Sequence, residues 1–327
     1  MLSRLIRPRD LILAGVIVLL ALLISTRYGA FVTPSNLANA YNDTAILVML
    51  AFGQTVVILT KCIDLSVAAN LALTGMMVAM LNAAFPGVPM AAIIMLAIAI
   101  GTVLGAINGL LVWKLDIPPI VVTLGTLTIY RGMIFVIAGG NWVSAREMSD
   151  MFKALPRAEW LGLPVLAWIS IAVIIVMALV MARTAIGRAF YAVGGNPGAA
   201  VYAGIDPGWT RFVAYTISGA ISGLCGYLWV SRYAVAYVEI AKGFELDVIA
   251  ACVIGGISIA GGIGTPAGAV LGALFLGVVK NALPVVNISP FWQMAISGGA
   301  IILAVALNAR AERSKGRIIL RQAETTA

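Results

Sequence analysis

The chain has 327 residues, of which 62% are hydrophobic and 10% charged, and its mean hydropathy is +1.05. A water-soluble domain carries roughly 25% charged residues, so most of this surface can only be solvated by lipid. That excludes a soluble enzyme, a disordered scaffold and a secreted disulfide module.

In chain order, apolar segments run over 11–25, 44–59, 67–84, 90–113, 120–138, 166–182, 212–230, 248–259, 267–283 and 291–307. The first follows Arg4, Arg7 and Arg9 as a secretory signal would, but Thr26-Arg27-Tyr28 is a poor cleavage site, so it is read as a retained first span. Several segments fall short of the ~20 residues that a straight span needs. Those either borrow flanking residues or are broken helices sheltered inside the bundle. The fold class is therefore all-α, a polytopic transmembrane bundle of about ten spans in one domain, residues 1–327.

Ten spans place both termini on one side, and the basic residues choose that side. Thirteen of the 21 Lys and Arg fall on the side of the termini, among them Lys61, Lys114, Arg183, Arg188, Arg211 and five in the tail 308–327. Six fall on the opposite side, and Arg131 and Lys280 lie within spans. The excess puts the termini in the cytoplasm, which also accounts for the net charge of +8 without a nucleic-acid partner.

Histidine is absent, which removes imidazole relays and His-dependent triads. Cys62, Cys225 and Cys252 lack CxxC spacing, so they are small buried hydrophobes rather than metal or redox residues, and no cofactor is expected. No Lys follows a Gly, so there is no ATP-binding phosphate loop in the chain itself. The glycines of Gly261-Gly262-Ile263-Gly264 are read as helix-packing or chain-reversing residues. Two helix-pair echoes, Asp64 against Asp247 and Gly101-Thr-Val-Leu-Gly-Ala against Gly268-Ala-Val-Leu-Gly-Ala, fit either a duplication or chance.

The cytoplasmic loop 183–211 carries a compact helix signal. Asn196 suits a cap, Pro197 the first helical position and Gly204 a stop; between them Ala199, Ala200 and their apolar neighbours make a small-faced helix in a polar loop. Apolar surface of this kind marks a docking site, the alternative being a helix that lies on the membrane or its own bundle. Polar groups at membrane depth form a second set: Asp64 with Ser66 and Asn70, Asp247, and Thr123, Thr126 and Tyr130 in one span. Ionisable groups in a bilayer read as functional, yet either aspartate also suits the cap of the helix that follows it. Lys280, near a span end, is expected to snorkel.

Ile63-Asp64-Leu65-Ser66-Val67, Thr123-Leu124-Gly125-Thr126, Arg131-Gly132, Ala192-Val193-Gly194-Gly195-Asn196-Pro197 with Gly204-Ile205, Glu245-Leu246-Asp247 and Gly261-Gly262-Ile263-Gly264 occur in this order. In that order and spacing the chain resembles the ribose-permease-like membrane subunits of bacterial ABC sugar importers over nearly its whole length. The resemblance implies import of a monosaccharide handed over by a periplasmic binding protein, in the inner membrane. It also implies a permease dimer, homomeric or with a sister permease, on cytoplasmic ATPase subunits that consume the ATP. Asn196, Pro197, Ala199, Ala200, Gly204 and Ile205 would couple to the ATPase; Asp64, Ser66, Asn70, Thr123, Thr126, Tyr130 and Asp247 would line the pathway. Similar permeases carry Gly-Gly ahead of Ile-Asp-Leu-Ser, where this chain has Lys61-Cys62. A lysine there would either pair with Asp64 or sit at the interface, and the change would mark a branch handling deoxyhexoses such as rhamnose. The rival reading is an ion-coupled secondary transporter or channel for a small polar solute, which intramembrane acids can serve.

Overall fold

The computed structural model describes residues 8–285 and isolated positions between 292 and 302. Among them, eight helices are long and apolar enough to cross a membrane: α1 (Pro8–Arg27), α2 (Pro34–Leu59), α3 (Val67–Ala84), α4 (Met90–Lys114), α5 (Pro119–Ala138), α7 (Val165–Arg183), α10 (Pro207–Tyr233) and α12 (Pro266–Val285). Their limits follow local chemistry. Proline opens α2, α5 and α10 at the first helical turn, where its missing N–H costs nothing. Gly139 ends α5 in the left-handed conformation.

The sequence segments correspond to these helices with three differences. Helix α2 begins ten residues ahead of the expected 44, because Pro34 starts a helix whose first turns are polar and half exposed. The ninth segment, expected over 248–259, is the short α11 (Phe244–Ile254) followed by turns, so it is one of the broken helices that its length allowed. The tenth segment, 291–307, and the basic tail 308–327 lie outside the described residues. Unanticipated were α6 (Asp150–Arg157), α8 (Ala185–Gly195) and the two-residue strands β1 (Glu159–Trp160) and β2 (Leu163–Pro164), which pair antiparallel.

Helix α2 is the axis of the bundle: Thr44 through Leu59 are all buried. Helix α1, in which only Asp10 and Ile24 are buried, lies at the edge of the bundle. An apolar interior cannot by itself select partners in a bilayer, because lipid tails are equally apolar, and association there relies on close backbone approach. Helices α4 and α10 show this. A Cβ at Gly101 would stand 2.3 Å from Gly219 O, and one at Gly105 2.3 Å from Tyr215 O. Gly219 and Gly223 are equally tight from the other side.

Two stretches of irregular backbone are held by side chains that come from within the spans. Residues 61–66 join α2 to α3, and Ser66 hydrogen-bonds Asn108, which lies six residues, or ~9 Å, inside the end of α4. Residues 234–243 lead from α10 into α11, and their carbonyls at Val238 and Ile240 are held by Arg131, which lies ~10 Å inside the end of α5. Unwound backbone beside apolar helices persists only where protein satisfies its polar groups. The remaining ends are covered. Helix α6, capped by Ser149 and seated by Phe152 edge-on to Tyr227, closes one end; α8 and α9 (Pro197–Tyr202) occupy the other.

Candidate functional site

The first unwound segment holds the densest polar cluster. Asp64 is buried, and its Oδ1 accepts the Ser66 N–H at 2.9 Å and the Ser66 hydroxyl at 2.7 Å. This is an aspartate turn that places Ser66 at the N-cap of α3. Ser66 Oγ accepts from Asn108 Nδ2 at 2.8 Å, which ties α4 to the turn. The backbone is pinned from three sides. Gln54 of α2 bonds the Asp64 N–H and C=O at 3.1 and 3.2 Å, and the Ile63 carbonyl accepts Thr123 Oγ1 at 3.2 Å and the Tyr215 hydroxyl at 3.1 Å. Ser218 of α10 stands beside the carboxylate. Asn108 Oδ1 is buried with no partner, at a cost of ~1–3 kcal/mol unless a water or a solute hydroxyl completes it.

The cluster therefore unites Asp64, Ser66 and Thr123 from the sequence-derived set. Asn70 sits one turn away, donating to Gly101 O at 3.1 Å and accepting from Thr74. Tyr130 ties α5 to α4 through Leu104 O at 2.8 Å. Thr126 bonds only its own helix, at Val122 and Thr123. Gln54, Asn108 and Tyr215 were missed. Each is a polar group inside an apolar run, the same signal that singled out Asn70, and only packing shows that they converge on Asp64.

Asp247 belongs to a second cluster. It lies in the first turn of α11, whose N-cap is Gly243, so it does not cap that helix; it pairs with Lys280 of α12. Lys280 accordingly does not snorkel to an interface but neutralises a half-buried carboxylate. Arg131 grips the same region through its two carbonyl contacts, 3.0 Å to Val238 and 2.7 Å to Ile240.

Lys61 does not pair with Asp64: its side chain is exposed. Its backbone has φ +65°, the left-handed region that glycine occupies freely and other residues at ~1–2 kcal/mol. The position is thus a helix-ending turn that favours glycine, and lysine is held there under strain.

Helix α9 has the expected termini. Asn196 Oδ1 accepts the Ala199 N–H at 3.1 Å, Pro197 opens the helix, and Gly204 ends it at φ +77°, with Ile205 N–H returning to Ala200 O at 2.9 Å. Ala200 faces inward, at 3% exposure, whereas Val201 and Tyr202 are 57% and 96% exposed. Ala200 seats the helix on its own protein; the outward surface is Ala199, Val201, Tyr202 and Ala203.

No group of three or more His, Cys, Asp or Glu able to hold a metal occurs among the described residues. Eight long apolar helices among the described residues define a multi-pass membrane protein. The chain belongs to the family described as branched-chain amino acid transport system / permease component, which matches residues 36–305. It is similar to the ribose import permease protein RbsC of Bacillus subtilis (strain 168), 36% identical over 89% of each chain. It is also similar to the autoinducer 2 import system permease protein LsrC of Klebsiella pneumoniae, 35% identical over 96% of this chain and 90% of the relative. The protein of that name in Photorhabdus luminescens is 35% identical over 83% and 80% respectively. No solved structure matches the chain.

Proposed function

We propose that the chain is the membrane subunit of an ABC importer for a monosaccharide, working as a dimer with cytoplasmic ATPase subunits and a periplasmic binding protein. The relatives named for ribose and autoinducer 2 import support the class. The observation that carries the solute chemistry is the Asp64 cluster, in which hydroxyls and amides from α2, α3, α4, α5 and α10 gather on the turn that carries one carboxylate. A sugar carries hydroxyls and no charge, so its path needs satisfied neutral donors and acceptors rather than ion pairs. Asn70, Thr126 and Tyr130 extend that lining along α3 and α5, and Asp247, neutralised by Lys280, stands at the start of α11. An ion-coupled carrier would draw on the same acids, but Asp247 already has its cation.

In this reading, ATP binding closes the ATPase dimer against α9, and the motion reorients the bundle around the two unwound crossings. ATP stays on the partner, and the chain needs no cofactor. The 13-to-6 distribution of basic residues supports an inner-membrane orientation with both termini in the cytoplasm. Reporter fusions at Ala327 and in the loop near Met148 then give opposite compartments, and signals from the same side would reject that orientation. The test of function is uptake by proteoliposomes holding the full chain, its ATPase and its binding protein, across a panel including ribose and rhamnose. ATP-dependent accumulation of one sugar is expected; accumulation driven by an ion gradient without ATP would refute the assignment.

A further inference from the structure

The glycine-rich turn between α11 and α12 has no part in the pathway described above, and its contacts are unusual. The Gly262 N–H donates to Leu59 O at 3.0 Å. A Cβ on Gly194 would fall 1.7 Å from Leu59 O and 2.4 Å from Gly262 N, and a Cβ on Gly262 would fall 2.6 Å from Gly195 N. Three backbones, the end of α2, the end of α8 and this turn, therefore meet with no side chain between them. Gly262 holds its place at φ +70°. The turn is braced further by the Tyr191 hydroxyl on Gly264 O at 3.3 Å and by Thr265 Oγ1 on Asp10 at 2.9 Å.

What this joint connects gives it meaning. Gly194 and Gly195 directly precede Asn196, the cap of α9. Leu59 lies two residues before the unwound stretch that carries Asp64, and the turn lies between α11, whose first turn holds Asp247, and α12. Side chains between elements can change rotamer and absorb a displacement, whereas close-packed backbone passes it on. A push on α9 thus reaches the Asp64 stretch directly through this contact, and the Asp247 region through the turn and the length of α11.

We propose, resting on the importer reading, that the Gly194–Gly262–Leu59 joint is the positioning element that converts movement of α9 into rearrangement at both unwound crossings. Glycine at 194 then sets how much solute moves per ATP hydrolysed. Gly195 supplies the control: a Cβ there meets nothing within 4 Å.

The experiment reconstitutes the full-length wild type, Gly194→Ala, Gly195→Ala and Tyr191→Phe with ATPase and binding protein, and measures solute moved and ATP hydrolysed together. Gly194→Ala is expected to keep the ATPase, whose α9 surface is untouched, while solute per ATP falls by about tenfold or more, since a methyl in so tight a site displaces its neighbours. Tyr191→Phe, which removes the hydroxyl that braces Gly264 and little volume, should lower the ratio by about fivefold, and it tests the joint even where Gly194→Ala does not assemble. Gly195→Ala should match wild type. A wild-type ratio in Gly194→Ala or Tyr191→Phe, or an equal fall in Gly195→Ala, would overturn the proposal. Failure of the importer reading looks different, because the wild type itself would then neither bind the ATPase nor accumulate sugar.

Discussion

Replacing Gly219 of α10 by alanine puts a number on the helix contact that supports the Asp64 cluster. The added Cβ would lie 2.3 Å from Gly101 O and 2.7 Å from Gly105 Cα. Ordinary carbon–oxygen contact needs roughly 1 Å more than the first of these distances, so the added methyl would overlap the carbonyl oxygen on the steep repulsive wall. Neither obstacle is a movable side chain, so the helices must separate. Overpacking of this kind costs about 1–3 kcal/mol, and the double backbone clash places Gly219→Ala near the upper figure. Both helices also hold the turn between α2 and α3, α4 through Asn108–Ser66 at 2.8 Å and α10 through Tyr215–Ile63 at 3.1 Å, so separating them stretches at least one of these bonds. Stability and transport should therefore fall together. Gly132 on α5 is the matched control, with nothing within 4 Å of a Cβ; alanine there gains about 0.5–1 kcal/mol of helix preference. Thermal unfolding of the purified proteins, followed by size-exclusion recovery, and sugar uptake by the same variants are the measurements. Equal midpoints and equal uptake for Gly219→Ala and Gly132→Ala would refute the argument.

Lys61→Gly removes a left-handed backbone strain of ~1–2 kcal/mol against a glycine entropy cost of ~0.5–1 kcal/mol, so the unfolding midpoint should rise; a fall would mean that the lysine side chain has a role of its own. Asp64→Asn keeps an oxygen for the Ser66 turn and should assemble normally while uptake drops, whereas normal uptake would take Asp64 off the pathway. Lys280→Met should destabilise more than the double variant Lys280→Met/Asp247→Leu, because a lone half-buried charge is worse than none, and the reverse order of midpoints would contradict the pairing. Tyr202→Glu should abolish ATPase co-purification with the fold intact, while Ala200→Glu should damage the fold itself; retained ATPase in Tyr202→Glu would remove α9 from the interface. The Ser144 N–H and hydroxyl hold the Glu147 carboxyl below its usual range. That contact is present above the unfolded carboxylate range and is lost as pH falls through the lowered value. Amide exchange near Ser144 should accelerate on acidification, and a pH-independent rate after intrinsic correction would disprove it.

Hydropathy alone determined that the chain is a polytopic helical bundle, because a lipid solvent demands long apolar segments whose backbone bonds close internally. The caps of α9 were equally legible: Asn196, Pro197 and Gly204 act through bonds within a few residues, so local sequence contains the whole interaction. Burial within that helix was not. The inward turn of Ala200 depends on where α8 and α10 lie, which no neighbouring residue specifies. The same division runs through the site. That Asp64 was exceptional followed from its charge in an apolar setting. That Gln54, Asn108 and Tyr215 meet it from three helices is a property of packing, since residues as far apart in sequence as Gln54 and Tyr215 share that cluster only once the helices are in contact. Asp247 drew the same reading as Asp64 from sequence, yet it received a different partner, because α12 brings Lys280 beside it. Sequence chemistry marks which groups are costly in lipid; only the tertiary fold decides which other group relieves each cost.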